Sequence, residues 1–136
     1  CPEVTPAQRD QVEHILKPTG QMVWLESEDL LDAVTAVSGS GPAYAFYLME
    51  AMVEAGVGLG LPAAVARQLA TATVAGAGAL AMGSNEPPEG LRARVTSKGG
   101  TTHAAISSLE ADGVGAALRK AVAAAHARAQ ALGQAS

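Results

Sequence analysis

Ser97-Lys98-Gly99-Gly100-Thr101-Thr102 places two adjacent glycines between a lysine and two threonines, just ahead of an amphipathic run in which Ala105, Ile106 and Leu109 fall on one side. A glycine-rich loop that opens a helix presents free backbone N–H groups and the positive end of the helix dipole, which is a setting for a small anion. Glycine also allows positive φ and lets a ligand approach bare backbone. The stretch is not a nucleotide-phosphate loop of the Walker type. Its lysine precedes the glycines and no glycine stands five residues earlier. An equally economical reading makes Thr101 an ordinary N-cap and the glycines a turn.

Ser38-Gly39-Ser40-Gly41-Pro42 is a second junction of this kind, with Ser40 or Gly41 near the cap and Pro42 at the first helical position. It holds only half of a dinucleotide fingerprint, and it follows a helix where that fingerprint needs a strand. Other chemistry is sparse. His14, His103 and His126 lie far apart, and Cys1 is near none of them by pattern, so no metal site is expected. His103 could reach the loop as a proton donor, although an exposed position on the helix surface is the simpler fate. The acids Glu26, Glu28, Asp29 and Asp32 cluster where a helix begins, as the dipole favours.

The elements that must position these residues are predicted to be helices. Thr5-Pro6-Ala7-Gln8 has the form of a capping box, and Val12, Ile15 and Leu16 then share a face up to about Lys17. Pro18-Thr19-Gly20 stops that helix, and Gln21 to Leu25 reads as a short extended segment. Ser27 can cap a helix running to about Val37. Ala43 to Val57 is strongly apolar, and Gly56, Gly58 and Gly60 are expected to end it. Pro62 restarts helix over Ala63 to Met82, about 30 Å long at 1.5 Å per residue. Gly76 and Gly78 within it point to another helix packed close against that face. Residues 83–90 read as the longest loop, leading through Leu91 to Val95 into the glycine motif. Thr102 to Ala111 and Val114 to Leu132 complete the set, split by Asp112-Gly113.

Composition agrees with an all-α domain spanning residues 1–136, with no repeat and no internal linker. The chain is 49% hydrophobic but only 3% aromatic, so its core must be built from Ala, Val, Leu, Ile and Met. A formal charge of −4 offers no footprint for nucleic acid. The apolar stretch from Leu69 to Met82 is too short to span a bilayer. A single cysteine excludes an internal disulfide, and a reducing, cytoplasmic setting fits. The opening Cys-Pro-Glu-Val-Thr-Pro has no initiator Met and no leader pattern, so the chain is expected to be a piece of a longer protein.

Taken together, residues 33–46 (Ala-Val-Thr-Ala-Val-Ser-Gly-Ser-Gly-Pro-Ala-Tyr-Ala-Phe), Gly60-Leu61-Pro62, residues 95–102 (Val-Thr-Ser-Lys-Gly-Gly-Thr-Thr) and Leu109-Glu110 resemble the C-terminal half of pyrroline-5-carboxylate reductases over nearly the whole chain. The resemblance implies a helical bundle like the C-terminal domain of 6-phosphogluconate dehydrogenase-like reductases. In that family two subunits intertwine as a dimer, and dimers can assemble further, to a decamer. An N-terminal Rossmann domain, absent from this chain, binds NADP or NAD there. The implied reaction is hydride transfer from the reduced nicotinamide to the C=N carbon of 1-pyrroline-5-carboxylate, giving L-proline.

By position, the resemblance implies that Ser97, Gly99, Gly100 and Thr101 hold the substrate carboxylate through N–H groups and the serine hydroxyl. It also implies that the Thr102 hydroxyl faces the ring nitrogen in the catalytic role. Ser38, Gly39, Ser40, Gly41 and Pro42 match the helix start near the nicotinamide. Lys98 departs from the family pattern, where proline is common and would stiffen the loop. Two other readings compete with this one. The chain could be purely an assembly module, or part of a related dehydrogenase acting on a different small imino or oxo acid.

Overall fold

The computed structural model describes residues 4–134, and every regular element among them is helical. Cys1, and with it the expectations about the first residues, lies outside the described residues. Helix α1 (Pro6–Leu16) opens on the expected capping box: the Thr5 hydroxyl accepts from the Gln8 N–H, and the Gln8 side-chain oxygen accepts from the Thr5 N–H at 2.9 Å. A 3₁₀ turn at Lys17–Thr19 ends it. Residues 21–25 form no ladder and fold back on α1. The Trp24 indole N–H donates to Glu13, and the Arg9 guanidinium lies 4.8 Å from the centre of the Trp24 ring. This N-terminal unit packs mainly on itself.

The segment that Ser27 opens is not one helix, as the sequence suggested, but three kinds of turn in succession. Ser27 caps a 3₁₀ turn at Glu28–Leu30, α2 follows at Leu31–Val34, and Thr35–Gly39 is a π-helical turn. The physical reason is the proline downstream. Pro42 has no N–H for the Ser38 carbonyl, and its ring would crowd that carbonyl in a continuous α-helix. The ladder widens instead, and the Ser40 N–H bonds to Thr35 O at 2.8 Å.

Helix α3 spans Gly41–Gly58, so Gly41 stands first and Pro42 second. Gly56 does not end the helix but lies inside it, while Gly60 ends it with φ of +97°. The Gly60 N–H bonds to Val57 O at 2.9 Å and the Leu61 N–H to Gly56 O at 3.0 Å, the paired bonds of a Schellman stop. Helix α4 (Ala63–Met82) has the predicted bounds and returns along α3. The hairpin is tightest at Gly56, where an added Cβ would lie 3.2 Å from the Ala66 Cβ and 3.3 Å from Leu61 Cδ1.

Close packing at Gly76 and Gly78 is not found within the chain, because no atom lies within 4 Å of where a Cβ would sit at either. Among the described residues no helix packs closely against that face. The stretch read as loop up to residue 90 is also shorter than expected. Pro87 is an extended cap, Pro88 starts α5 (Pro88–Arg94), and Glu89 occupies its first turn. Helices α6 (Thr101–Ala111) and α7 (Val114–Gly133) are joined by Gly113 in the left-handed region at φ of +68°. Helix α7 packs on α6, on α2 and on the π turn.

The core differs most from expectation. Only Ala36, Ala66 and Ala70 are buried apolar residues among those described. Tyr47, Leu59, Met82 and many other large side chains stay exposed. The chain exposes 10752 Å², whereas a compact monomer of its mass exposes about 6,600 Å². These helices present their apolar faces outward, which a single copy cannot cover.

Candidate functional site

The loop between α5 and α6 is built by local bonds. The Val95 N–H bonds to Arg92 O at 3.2 Å and the Thr96 N–H to Ala93 O at 3.1 Å, which closes the end of α5. The Thr96 hydroxyl donates to Arg92 O at 2.6 Å. Ser97–Gly100 then forms a β-turn closed by the Gly100 N–H to Ser97 O at 3.0 Å, with Gly99 third at φ of +78°. Positive φ in the third position is the type II pattern, and the second position, held by Lys98, is the one proline favours. The turn forms with lysine in that position.

Gly100 is the N-cap of α6 and Thr101 its first helical residue, so Thr101 is not the cap that one reading made it. No side chain caps this helix, and its first ladder bond runs from the Ala104 N–H to Gly100 O at 3.1 Å. The amides of Thr101, Thr102 and His103 precede that bond and point along the helix start. The Gly100 N–H is committed to the turn. An added Cβ at Gly100 would lie 2.7 Å from Ser97 Oγ and 3.2 Å from Ser97 O, so a side chain there must displace the serine hydroxyl and press on its carbonyl. At Gly99, by contrast, nothing lies within 4 Å of a Cβ position, and its requirement is the positive φ. Ser97, Lys98, Thr101, Thr102 and His103 are all exposed.

Two ion pairs brace α5. Arg92 reaches Glu110 near the end of α6 at 2.8 Å, and Arg94 reaches Glu86 at 3.2 Å. Each lies on the surface, where such a pair contributes less than about 1 kcal/mol. The Arg92–Glu110 contact crosses the glycine loop and ties its two flanks together. Its partners stand 18 positions apart, beyond the reach of any helical or strand period.

The second candidate segment begins in the π turn. Ser38 and Gly39 lie within it, Ser40 is the cap of α3 without a side-chain bond, and Gly41 and Pro42 open the helix. A Cβ at Gly41 would meet nothing within 4 Å, so bare backbone there faces open space, as a flat ring approaching from outside the chain would need. The π turn makes no substantial packing contact with α6. The π turn and α6 each pack against α7, which is their common support. Tyr44, which the sequence reading passed over, donates its hydroxyl to Ala36 O at 3.0 Å. The hint in the sequence is a phenol two residues after Pro42, in the first turn of a largely apolar helix.

A groove lies elsewhere, along the α3–α4 hairpin. It holds about 440 Å³ and is lined by Phe46, Met49, Val53, Glu50, Arg67 and others. Its surface is mainly apolar, and it includes none of the residues of the two candidate segments. Among the described residues no three His, Cys, Asp or Glu side chains are grouped to hold a metal ion, and no helix is long and apolar enough to cross a membrane.

Comparison with known proteins decides the family. The model for pyrroline-5-carboxylate reductase dimerisation matches residues 28–132. The chain belongs to this family. The match begins after α1 and the Trp24 segment, and it contains both candidate segments. Among similar reductases, that of Pseudomonas aeruginosa is 48% identical over 126 residues, covering 93% of this chain and 46% of that protein. The reductase of Mycobacterium tuberculosis is 44% identical, covering 95% and 49%.

Solved reductase structures superpose over nearly the whole chain. The Coxiella burnetii enzyme matches with a TM-score of 0.90 at 41% identity, covering 95% of this chain and 48% of that one. The Plasmodium falciparum enzyme, solved with NADP bound, matches with a TM-score of 0.83 at 30% identity, covering 96% and 52%. The chain thus spans about half the length of these reductases.

Proposed function

We propose that this chain is the subunit-assembly and substrate-binding part of a pyrroline-5-carboxylate reductase, which reduces 1-pyrroline-5-carboxylate to L-proline. The observation that carries the reading is the Ser97–Gly100 turn feeding the uncapped start of α6. It presents a serine hydroxyl, a positive-φ glycine and the first amides of a helix together. Such a group suits a carboxylate, because the donors are backbone and already oriented before the ligand arrives.

In this reading Ser97 Oγ and the amides around Gly99, Gly100 and Thr101 hold the substrate carboxylate. The Gly100 N–H, bonded to Ser97 O at 3.0 Å in the free turn, contributes by holding the turn closed. The Thr102 hydroxyl orients the imine by hydrogen bonding at the ring nitrogen, and it accepts a hydrogen bond from the amine of the product. Residues Ser38, Gly39, Ser40, Gly41 and Pro42 border the nicotinamide end, where the glycines leave room for a ring against backbone. NADPH or NADH, held mainly by a dinucleotide-binding half outside this chain, supplies the hydride. The chain's own contribution is binding and orientation. The assembly is a homodimer able to build a larger ring, in the cytoplasm.

The test uses the full-length protein. Reduction of 1-pyrroline-5-carboxylate is followed with NADPH and with NADH, for the wild type and for Thr102→Ala. The reading expects turnover in the wild type and a loss of at least about tenfold in kcat/KM on losing the hydroxyl. Unchanged kcat/KM in the variant removes Thr102 from the site, and an inactive wild type removes the substrate assignment.

A second reading, an assembly module with no ligand of its own, draws on the exposed apolar faces and on the open sides of Gly76 and Gly78. Binding of proline or an unreactive analogue at the glycine loop separates the two. A related dehydrogenase for another acid would instead turn over open-chain oxo acids in preference to the cyclic imine.

A further inference from the structure

The π turn ahead of α3 has a lock. In an α-helix the Ser40 N–H would bond to the carbonyl four residues back, that of Ala36. Here it goes five back, to Thr35 O at 2.8 Å, and the Tyr44 hydroxyl takes up the Ala36 carbonyl at 3.0 Å. Ala36 is 1% exposed and sits where the π turn packs on α7. An unbonded carbonyl at such a position is costly. Tyr44 stands one turn into α3, so its ring reaches back over the helix start and its bond spans residues 36–44. π turns are uncommon and concentrate at functional sites.

We infer that Tyr44 is a positioning residue that holds Ser38–Gly41 in the π register and so presents their backbone at the nicotinamide end of the site; this rests on the cofactor role proposed above for that segment. Tyr44 touches neither substrate nor cofactor in this account. It acts through the Ala36 carbonyl. Without the hydroxyl, the turn is free to shift its Ser40 bond to Ala36 O, which rotates Ser38 and Gly39 relative to α3.

Tyr44→Phe in the full-length protein removes only the hydroxyl, and Tyr47→Phe serves as control, since Tyr47 is exposed and lies on the same helix. NADPH affinity is read directly by fluorescence titration, and both KM values are measured beside it. The expected result is a three- to tenfold weaker NADPH dissociation constant in Tyr44→Phe, with the KM for the imino acid within twofold of wild type and Tyr47→Phe unchanged. Equal NADPH affinity in Tyr44→Phe and wild type overturns the inference, as does a parallel rise in both KM values with a lowered melting temperature, which marks general loosening. A wild type that binds no NADPH fails the cofactor reading itself. Amide hydrogen exchange on the wild type is a second readout that needs no variant. A slowly exchanging Ser40 amide is expected, and exchange at the rate of an open loop overturns the lock.

Discussion

At the scale of single residues, the candidate site is a matter of which atoms leave room for others. Gly99 and Gly100 are adjacent yet required for different reasons, one by its φ of +78° and the other by Ser97 pressing where a side chain would stand. Gly100→Ala must displace the Ser97 hydroxyl and press on the Ser97 carbonyl, so it is expected to raise the KM for the imino acid about tenfold while the melting temperature of the full protein falls by only a few degrees. Steady-state kinetics beside a thermal melt checks this. Lys98 occupies a turn position that accepts proline. Lys98→Pro is therefore expected to keep the KM within threefold. A larger rise in KM that vanishes at high salt would give the ammonium group a direct part in drawing in the carboxylate. Both effects are read in kinetics.

At the scale of elements, the helices begin and end where local chemistry directs, and their contacts are set elsewhere. The capping box at Thr5, the Schellman stop at Gly60 and the left-handed link at Gly113 are each written within a few residues. Gly60→Ala forces φ of +97° on a residue with a Cβ, and a loss of about 1 kcal/mol is expected in urea unfolding of the full protein. Gly56→Val acts differently, because its side chain meets Ala66 and Leu61 at van der Waals limits. It must spread the α3–α4 hairpin, and a loss of about 1–3 kcal/mol is expected by the same measurement. A smaller effect at Gly56 than at Gly60 would mean that the hairpin is looser than its contacts indicate.

At the scale of the whole molecule, the excess of exposed surface dominates. The chain exposes roughly 4,000 Å² more than a compact monomer of its mass, as much as the roughly 2,000–5,000 Å² that a permanent interface covers on both partners together. The open flanks of Gly76 and Gly78 and the groove containing Phe46 and Met49 lie on that surface. Sedimentation of the full-length protein at micromolar concentration is expected to give a dimer or a multiple of it. Its melting temperature should rise with protein concentration, as mass action requires for a fold that depends on association. Phe46→Glu places a charge in the hairpin groove and is expected to shift the protein toward monomer or aggregate. A stable, folded monomer of wild type would remove the assembly reading.

What the sequence determined by itself is whatever is encoded within about one helical turn. Residues 63–82 and 114–132 were legible as helices because caps, breakers and apolar runs act locally. The Ser97–Thr102 stretch was legible as an exposed loop at a helix start because adjacent glycines have few other uses. The resemblance carried by residues 33–46 and 95–102 named the family before any geometry was known. Only the tertiary structure decided the rest. The Ala36 carbonyl meets a phenol 8 positions on, Arg92 meets a carboxylate 18 positions on, and the glycine turn commits the Gly100 amide. The core was misjudged for the same reason. Periodicity tells which face of a helix is apolar, but whether its own chain covers that face depends on contacts between residues far apart, and among the described residues only three alanines are fully buried apolar side chains.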